Sequence, residues 1–213
     1  MRLESFFIIS FLMVGLSGYG QKNIYESGRF KELSKDHKEL AIIPFITHLD
    51  LNENISRKEY LELEEKEGYE VQNALETYFG RGNKRKKFSV EFQNIKNTNA
   101  ILRQNNITYK NIDTYTIKQL CKLLEVDGII SGNMDLTILL SKGVPTNFNF
   151  MDYITGQSDY GRIGIKISDG ATGKLLWKYE KEINKKSGRN TIELIDKMMK
   201  KATRRFPYEK ERS

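Results

Sequence analysis

A few residue types in this 213-residue sequence could carry chemistry: two histidines, one cysteine, scattered aspartates and two dense basic tracts. His37 and His48 lie in polar stretches without the Glu or Cys spacing of a zinc site, which reads as two surface histidines. The sole cysteine, Cys121, sits in Ile117-Lys-Gln-Leu-Cys-Lys-Leu-Leu124, on or beside a helical apolar stripe, and reads as a buried, inert thiol. One cysteine makes no intramolecular disulfide, so the core must hold the fold. Asp50, Asp127, Asp135 and Asp169 offer carboxylates, but nothing in their spacing pairs any two. Asp127 precedes a strand and Asp169 opens a turn, both ordinary places for Asp. Gly170-Ala-Thr-Gly173-Lys174 has some look of a phosphate loop. Ser168 stands where its first glycine is required, however, and Leu175 and a strand follow the lysine, so the segment reads as a hairpin turn. Asn54-Ile-Ser56 and Asn106-Ile-Thr108 fit the glycosylation triplet, a pattern that arises by chance in an Asn-rich chain. The expectation is no catalytic constellation, no metal site and no cofactor.

The basic tracts carry more information. Arg81, Lys84, Arg85, Lys86 and Lys87 give a local +5, and residues 184–205, with Lys197, Lys200, Lys201, Arg204 and Arg205, give a local +6. The whole chain is only +7, so its excess is clustered rather than spread. Such patches attract phosphates, acidic lipids, lipopolysaccharide or acidic protein faces. A plain solvated basic surface is the alternative. No aromatic-interleaved RNA motif accompanies the charge, and no nucleic-acid partner is expected. A long segment between strands carries Phe148, Phe150 and Tyr153, with Tyr160 at its end, and is the candidate contact loop. The alternative is that these aromatics fold back on the domain.

These residues need a scaffold. Apolar residues make up 38% of the chain, which excludes collagen, a polytopic membrane protein and a fully disordered tail. Residues 1–20 read as a signal peptide: Arg2, an uncharged run from Phe6 to Leu16, then Ser17-Gly-Tyr-Gly20 before a cut at Gln21. A bilayer-spanning helix needs about 20 apolar residues, so the run is too short for a stable anchor. No later segment in the mature chain is expected to cross a membrane. Residues 21–213 are expected to form one α/β domain, placed in the periplasm, at the outer membrane or outside the cell.

Within it, residues 21–38 suit a short helix and Leu40–Ile46 a buried strand in which Pro44 marks the end, an edge or a bulge. Residues 47–55 read as a polar loop. Ser56 with Glu59 makes a capping box for a helix reaching about Phe79, with Leu61, Gly68, Val71, Leu75 and Tyr78 inward. Phe88, Val90 and Phe92 alternate as a strand. Thr98–Arg103 suits a short helix, and Asp113 or Thr114 caps another reaching about Glu125. Residues 130–140 alternate as a long strand with Ile130, Gly132, Met134, Leu136, Ile138 and Leu140 on one face. Ile163, Ile165 and Ile167, then Leu175, Trp177 and Tyr179, form a hairpin. A helix over 190–205 closes the chain, with Ile192, Ile195, Met199, Ala202 and Phe206 as its stripe. The order β-α-β-α-β-β-α predicts a mixed sheet of about five strands with helices packed on it.

Three stretches resemble a group of bacterial envelope proteins that share the α/β domain of the TolB N-terminal region, CsgG and LpoB. Leu40-Ala-Ile-Ile-Pro-Phe45 is similar to that group's opening strand. Leu123-Leu-Glu-Val-Asp-Gly-Ile-Ile-Ser-Gly132 is similar to its helix-to-strand step. Ile167-Ser-Asp-Gly-Ala-Thr-Gly-Lys-Leu-Leu-Trp177 is similar to its hairpin. The likeness spans about residues 38–206. It implies a domain that binds other envelope components and brings no catalytic residue, with Trp177 structural. Many of the group are lipoproteins, whereas no Cys opens the mature chain here. The sequence also shows neither TolB's β-propeller nor the transmembrane hairpins of CsgG.

Two readings follow. The first is a non-enzymatic envelope protein that docks onto another envelope protein or assembles with itself. The alternative is a basic module for anionic lipid or polysaccharide surfaces.

Overall fold

The computed structural model describes residues 24–51, 55–84, 88–143, 159–184, 186–202 and 206–210. The signal segment 1–20 lies outside them.

The strand predicted from its alternation, β5 (Gly128–Leu136), is the spine of the sheet. Along its whole length it pairs antiparallel with β6 (Asp159–Asp169), which turns back into β7 (Leu175–Asn184). On its other side it pairs parallel with β2 (Glu39–Ile42) and then β3 (Ile46–Leu49). Two short strands finish the edges: β1 (Ile24–Glu26) on β7 and β4 (Glu91–Phe92) on β2. The sheet is therefore mixed and seven-stranded, larger than the five or so expected.

β2 and β3 are one run broken at Ile43-Pro44-Phe45. Pro44 has no N–H to give a ladder, and the break swings Phe45 over Gly132. A Cβ at position 132 would lie 2.0 Å from the Gly164 oxygen and 2.2 Å from the Phe45 ring, so this crossing requires glycine. The predicted polar loop at 47–55 is instead β3 for its first residues. There Thr47 and His48 sit between Ile46 and Leu49, a pattern too short to read as alternation. The outward amides of β3 are taken by side chains. Thr47 N donates to Tyr109 OH, Leu49 N to Glu64 Oε1 and Leu51 N to Tyr60 OH, whose own hydroxyl donates to Leu49 O.

Two helices cover one face of the sheet: α2 (Arg57–Lys84) and α5 (Thr191–Ala202). Ile130, Met134 and Leu136 of β5, Tyr160, Ile163, Ile165 and Ile167 of β6 and Leu176, Trp177, Tyr179 and Ile183 of β7 belong to this main core, with Ile163, Ile165, Ile167 and Trp177 wholly buried. Phe79 stacks on Phe92, their centroids 4.1 Å apart. α3 (Ile95–Gln104) and α4 (Ile117–Leu124) cover part of the other face, over Ala41, Ile43 and Ile129. A short helix, α1 (Phe30–Ser34), follows β1.

Several local expectations change. Ser56 accepts from Glu59 N as predicted, but α2 continues past Phe79 to Lys84, so Arg81 lies on a helix rather than in a turn. α4 is capped by Thr116 in a reciprocal box with Gln119, not by Asp113 or Thr114. Only Glu91 and Phe92 pair in the strand expected from Phe88, while Phe88 bridges to Glu209. Leu61 and Ile192 are exposed, at 37% and 50%. Leu194 and Met198 fill the stripe in place of Ile192.

Candidate functional site

A cleft of about 470 Å³ opens where β5 begins and β6 ends. It brings His37, Cys121, Asp127 and Asp169 together with Lys118 and Lys122. The placing elements are local. The Asp169–Gly173 turn presents Asp169, whose Oδ2 accepts from Thr172 N at 2.7 Å and from the Thr172 hydroxyl. Gly173 adopts φ +73°, the conformation the turn needs. Asp127 Oδ2 accepts from Lys38 N and Glu39 N, fixing the start of β2 against β5. α4 lays Cys121 against Gly170, where a Cβ would meet its sulfur at 2.9 Å.

His37 is the correction here. It is not a surface residue: its side chain is 5% exposed. Nε2 lies 3.0 Å from Asp169 Oδ1, and Nδ1 lies 2.6 Å from Tyr208 OH. A carboxylate only accepts, so Nε2 carries a proton, and in the neutral ring Nδ1 accepts from the Tyr208 hydroxyl. His48, in contrast, is exposed as expected. Neither partner of His37 was legible, because the nearer one is 132 residues away.

A thiol, an imidazole and a carboxylate around one cleft have the composition of a cysteine-nucleophile site. Their wiring is the reverse. Activation needs a base on the thiol and positive charge nearby. Both ring nitrogens of His37 are instead occupied by Asp169 and Tyr208. Burial, then the negative charges of Asp169 and Asp127, push the Cys121 thiol up to about 12. Burial alone would raise the Asp169 carboxyl, but hydrogen bonds from Thr172 and His37 outweigh it and hold the group below its ordinary value. Burial and the charge of Asp169 raise the Tyr208 phenol. The network joins the segment after α1, the β6–β7 turn and the C-terminal segment, and its geometry is structural. Among the described residues no group of three or more His, Cys, Asp or Glu is arranged to hold a metal ion.

A smaller groove of about 250 Å³ lies on the half-covered sheet face. Ile43, Ile46, Tyr115 and Ile117 line it with Asn133 and Lys166. Beyond it, the same face of β5, β6 and β7 carries Asp135, Arg162, Lys178, Glu180 and Glu182, none of them buried.

Of the contact residues expected from sequence, Lys197, Lys200 and Lys201 lie exposed on α5. Lys200 pairs with Asp196 at 2.7 Å. Lys84 ends α2. Tyr160 is 9% exposed and packs in the main core, which removes it as a contact residue. Phe148, Phe150, Tyr153, Arg85, Lys86, Lys87 and Arg204 lie outside the described residues.

The chain is thus a mixed α/β open-sheet protein with a buried polar network. No known family model matches the sequence, and no curated protein does. Among solved structures it is similar to lipoprotein GNA1162 from Neisseria meningitidis, at 10% identity and a TM-score of 0.46, over 78% of this chain and 99% of that one. It is similar to the LpoB C-terminal domain from Escherichia coli at 9% identity and a TM-score of 0.34, over 73% and 94%. The PelC dodecamer from Paraburkholderia phytofirmans gives 7% and 0.34, over 76% and 87%. With so few identical residues and TM-scores below 0.5, the functional reading rests on the chain's own geometry. No described helix is long and apolar enough to cross a membrane.

Proposed function

We propose that this chain is an exported, non-enzymatic cell-envelope protein. Its α/β domain docks onto another envelope protein or assembles with itself. One observation carries the reading: α3 and α4 stop partway across their face of the sheet, leaving a polar, ion-paired surface with an apolar groove at its margin. Arg162 and Glu182, 3.6 Å apart, and Lys178 and Glu180, 2.7 Å apart, lie on that surface. Protein interfaces combine apolar parts that become buried with polar parts that stay near solvent, and the groove and the ion-paired surface beside it offer both. The cleft around His37 and Cys121 supports the non-enzymatic part, since its groups are buried or engaged with one another. The signal-like residues 1–20 support export to the periplasm, the outer membrane or the exterior.

A photo-crosslinker at Tyr115 in the intact envelope tests this. The expected result is one discrete crosslinked protein, lost on Ile117→Asp in a variant that keeps its unfolding midpoint. Recovery of a lone monomer at every position tried along the groove, unaffected by Phe148→Ala or Phe150→Ala, overturns the reading.

A further inference from the structure

The groove beside α4 has the size of one side chain and a single cation on its wall. Its volume is about 250 Å³, below the roughly 300 Å³ at which pockets for drug-sized ligands begin. The break at Pro44 opens it on the sheet side, between Ile43 and Ile46. Ile112, Ile117 and Leu120 close it on the helical side, where the Thr116–Gln119 capping box fixes the start of α4. Its polar wall is Ser131, Asn133 and Lys166. Ser131 and Lys166 are partners in the β5–β6 ladder, so their side chains leave the sheet together on this face.

The charges around Lys166 are matched elsewhere. Lys178, its ladder neighbour on β7, holds Glu180 at 2.7 Å, and Arg162 holds Glu182 at 3.6 Å. Asp113, the one acid among the groove's lining residues, is exposed on the helical side. Among the described residues no ion pair joins Lys166 to a carboxylate, although Lys166 is only partly exposed. It also stands directly opposite Lys178, and like charges facing each other across two strands are unfavourable. An acid brought in over the groove would pair the Lys166 ammonium and offset that repulsion.

We propose that the groove takes one large apolar side chain of a protein segment, and that Lys166 pairs with an Asp or Glu side chain next to it in that segment. The proposal rests on the docking reading above and names what the partner must present. The isoleucines and Leu120 offer apolar walls, while Ser131 and Asn133 offer donors and acceptors to the segment's backbone. One well-packed anchor in a small pocket is how a few residues carry most of the binding at an interface. A phospholipid surface is the poorer match, because the groove presents one ammonium where headgroup attraction builds on a cluster of them.

The test uses the isotope-labelled mature chain and two peptides, acetyl-Leu-Asp-amide and acetyl-Leu-Asn-amide, which differ by one charge at nearly equal size. Backbone amide shifts at Ile46, Leu120 and Lys166 report occupancy of the groove. The expected result is that both peptides bind there, the Asp peptide about threefold more tightly, as suits a partly exposed ion pair. Lys166→Gln, with its unfolding midpoint checked, should abolish that difference, whereas Arg162→Gln on the same sheet face should leave it. Equal binding of the two peptides, a difference that survives Lys166→Gln or is lost equally in both variants, or no shift with either peptide overturns the proposal. Shifts produced by phosphatidylglycerol vesicles and by neither peptide assign the groove to lipid and overturn it as well. The crosslink at Tyr115 reports separately on docking: a discrete product together with equal peptide binding leaves the docking reading intact and removes only the role of Lys166.

Discussion

His37 and Asp169, 132 residues apart in sequence, meet at 3.0 Å in the interior, and Tyr208 closes the other side of the imidazole at 2.6 Å. Three segments that share no local contact in sequence are joined by two hydrogen bonds. Phe30 packs edge-on against Tyr208, with ring centroids 5.2 Å apart, so the same tie is also apolar.

Tyr208→Phe keeps the ring and removes the hydroxyl, leaving a buried ring nitrogen unsatisfied. Urea unfolding should show a loss of about 1–2 kcal/mol. Asp169→Ala removes the anchor for both His37 and Thr172 and should cost about 3 kcal/mol. A Tyr208→Phe chain with the wild-type midpoint would contradict the role assigned to this bond.

Acid stability has two opposing contributions. Asp169 titrates below its ordinary value in the fold, so its contribution is present above the usual carboxylate range and is lost as pH falls through the depressed value. Glu67, 1% exposed on α2, behaves oppositely. Burial raises its carboxyl despite hydrogen bonds from Ser141 N and Oγ, so its contribution is present at low pH and is lost as pH rises through the raised value. Unfolding midpoints across pH 3–7 should lose part of the acid limb in Asp169→Asn. In Glu67→Gln they should lose part of the decline above the ordinary Glu range. Parallel curves for all three chains would refute both assignments.

Cys121 should resist iodoacetamide in the folded protein at pH 8 and label readily in urea, because the thiolate is scarce and the sulfur buried. Mass spectrometry of timed samples reads this directly. Prompt labelling of the native chain would count against a thiol pKa near 12.

Gly132→Ala inserts a methyl group against backbone on one side and the Phe45 ring on the other. A loss of about 2–4 kcal/mol is expected. Pairing it with Phe45→Leu should recover part of that loss, because the ring but not the Gly164 oxygen can give way.

Local signals were the legible part of this fold. Alternation marked β5 and β7, Ser56 marked the start of α2, and Trp177 marked the core. Gly80 and Gly82 disguised the last turn of α2, where a Cβ at position 82 would lie 2.1 Å from the Phe88 ring. β3 was hidden because its partners are β5 and the side chains of Tyr60, Glu64 and Tyr109, none adjacent in sequence. The buried state of His37 depends wholly on Asp169 and Tyr208, and a polar local sequence contains no trace of either.

The side chains that hold the β3 amides give the sheet a polarity of growth. An incoming strand at that edge would have to displace Tyr109, Glu64 and Tyr60 from Thr47, Leu49 and Leu51. At the far edge, β1 pairs with only Trp177–Tyr179 of β7. Among the described residues, an added strand would meet fewer side-chain contacts at the β1–β7 margin than at β3. Two copies joined there would bury the same edge on each and close about a two-fold axis, ending extension at a dimer instead of an open fibre.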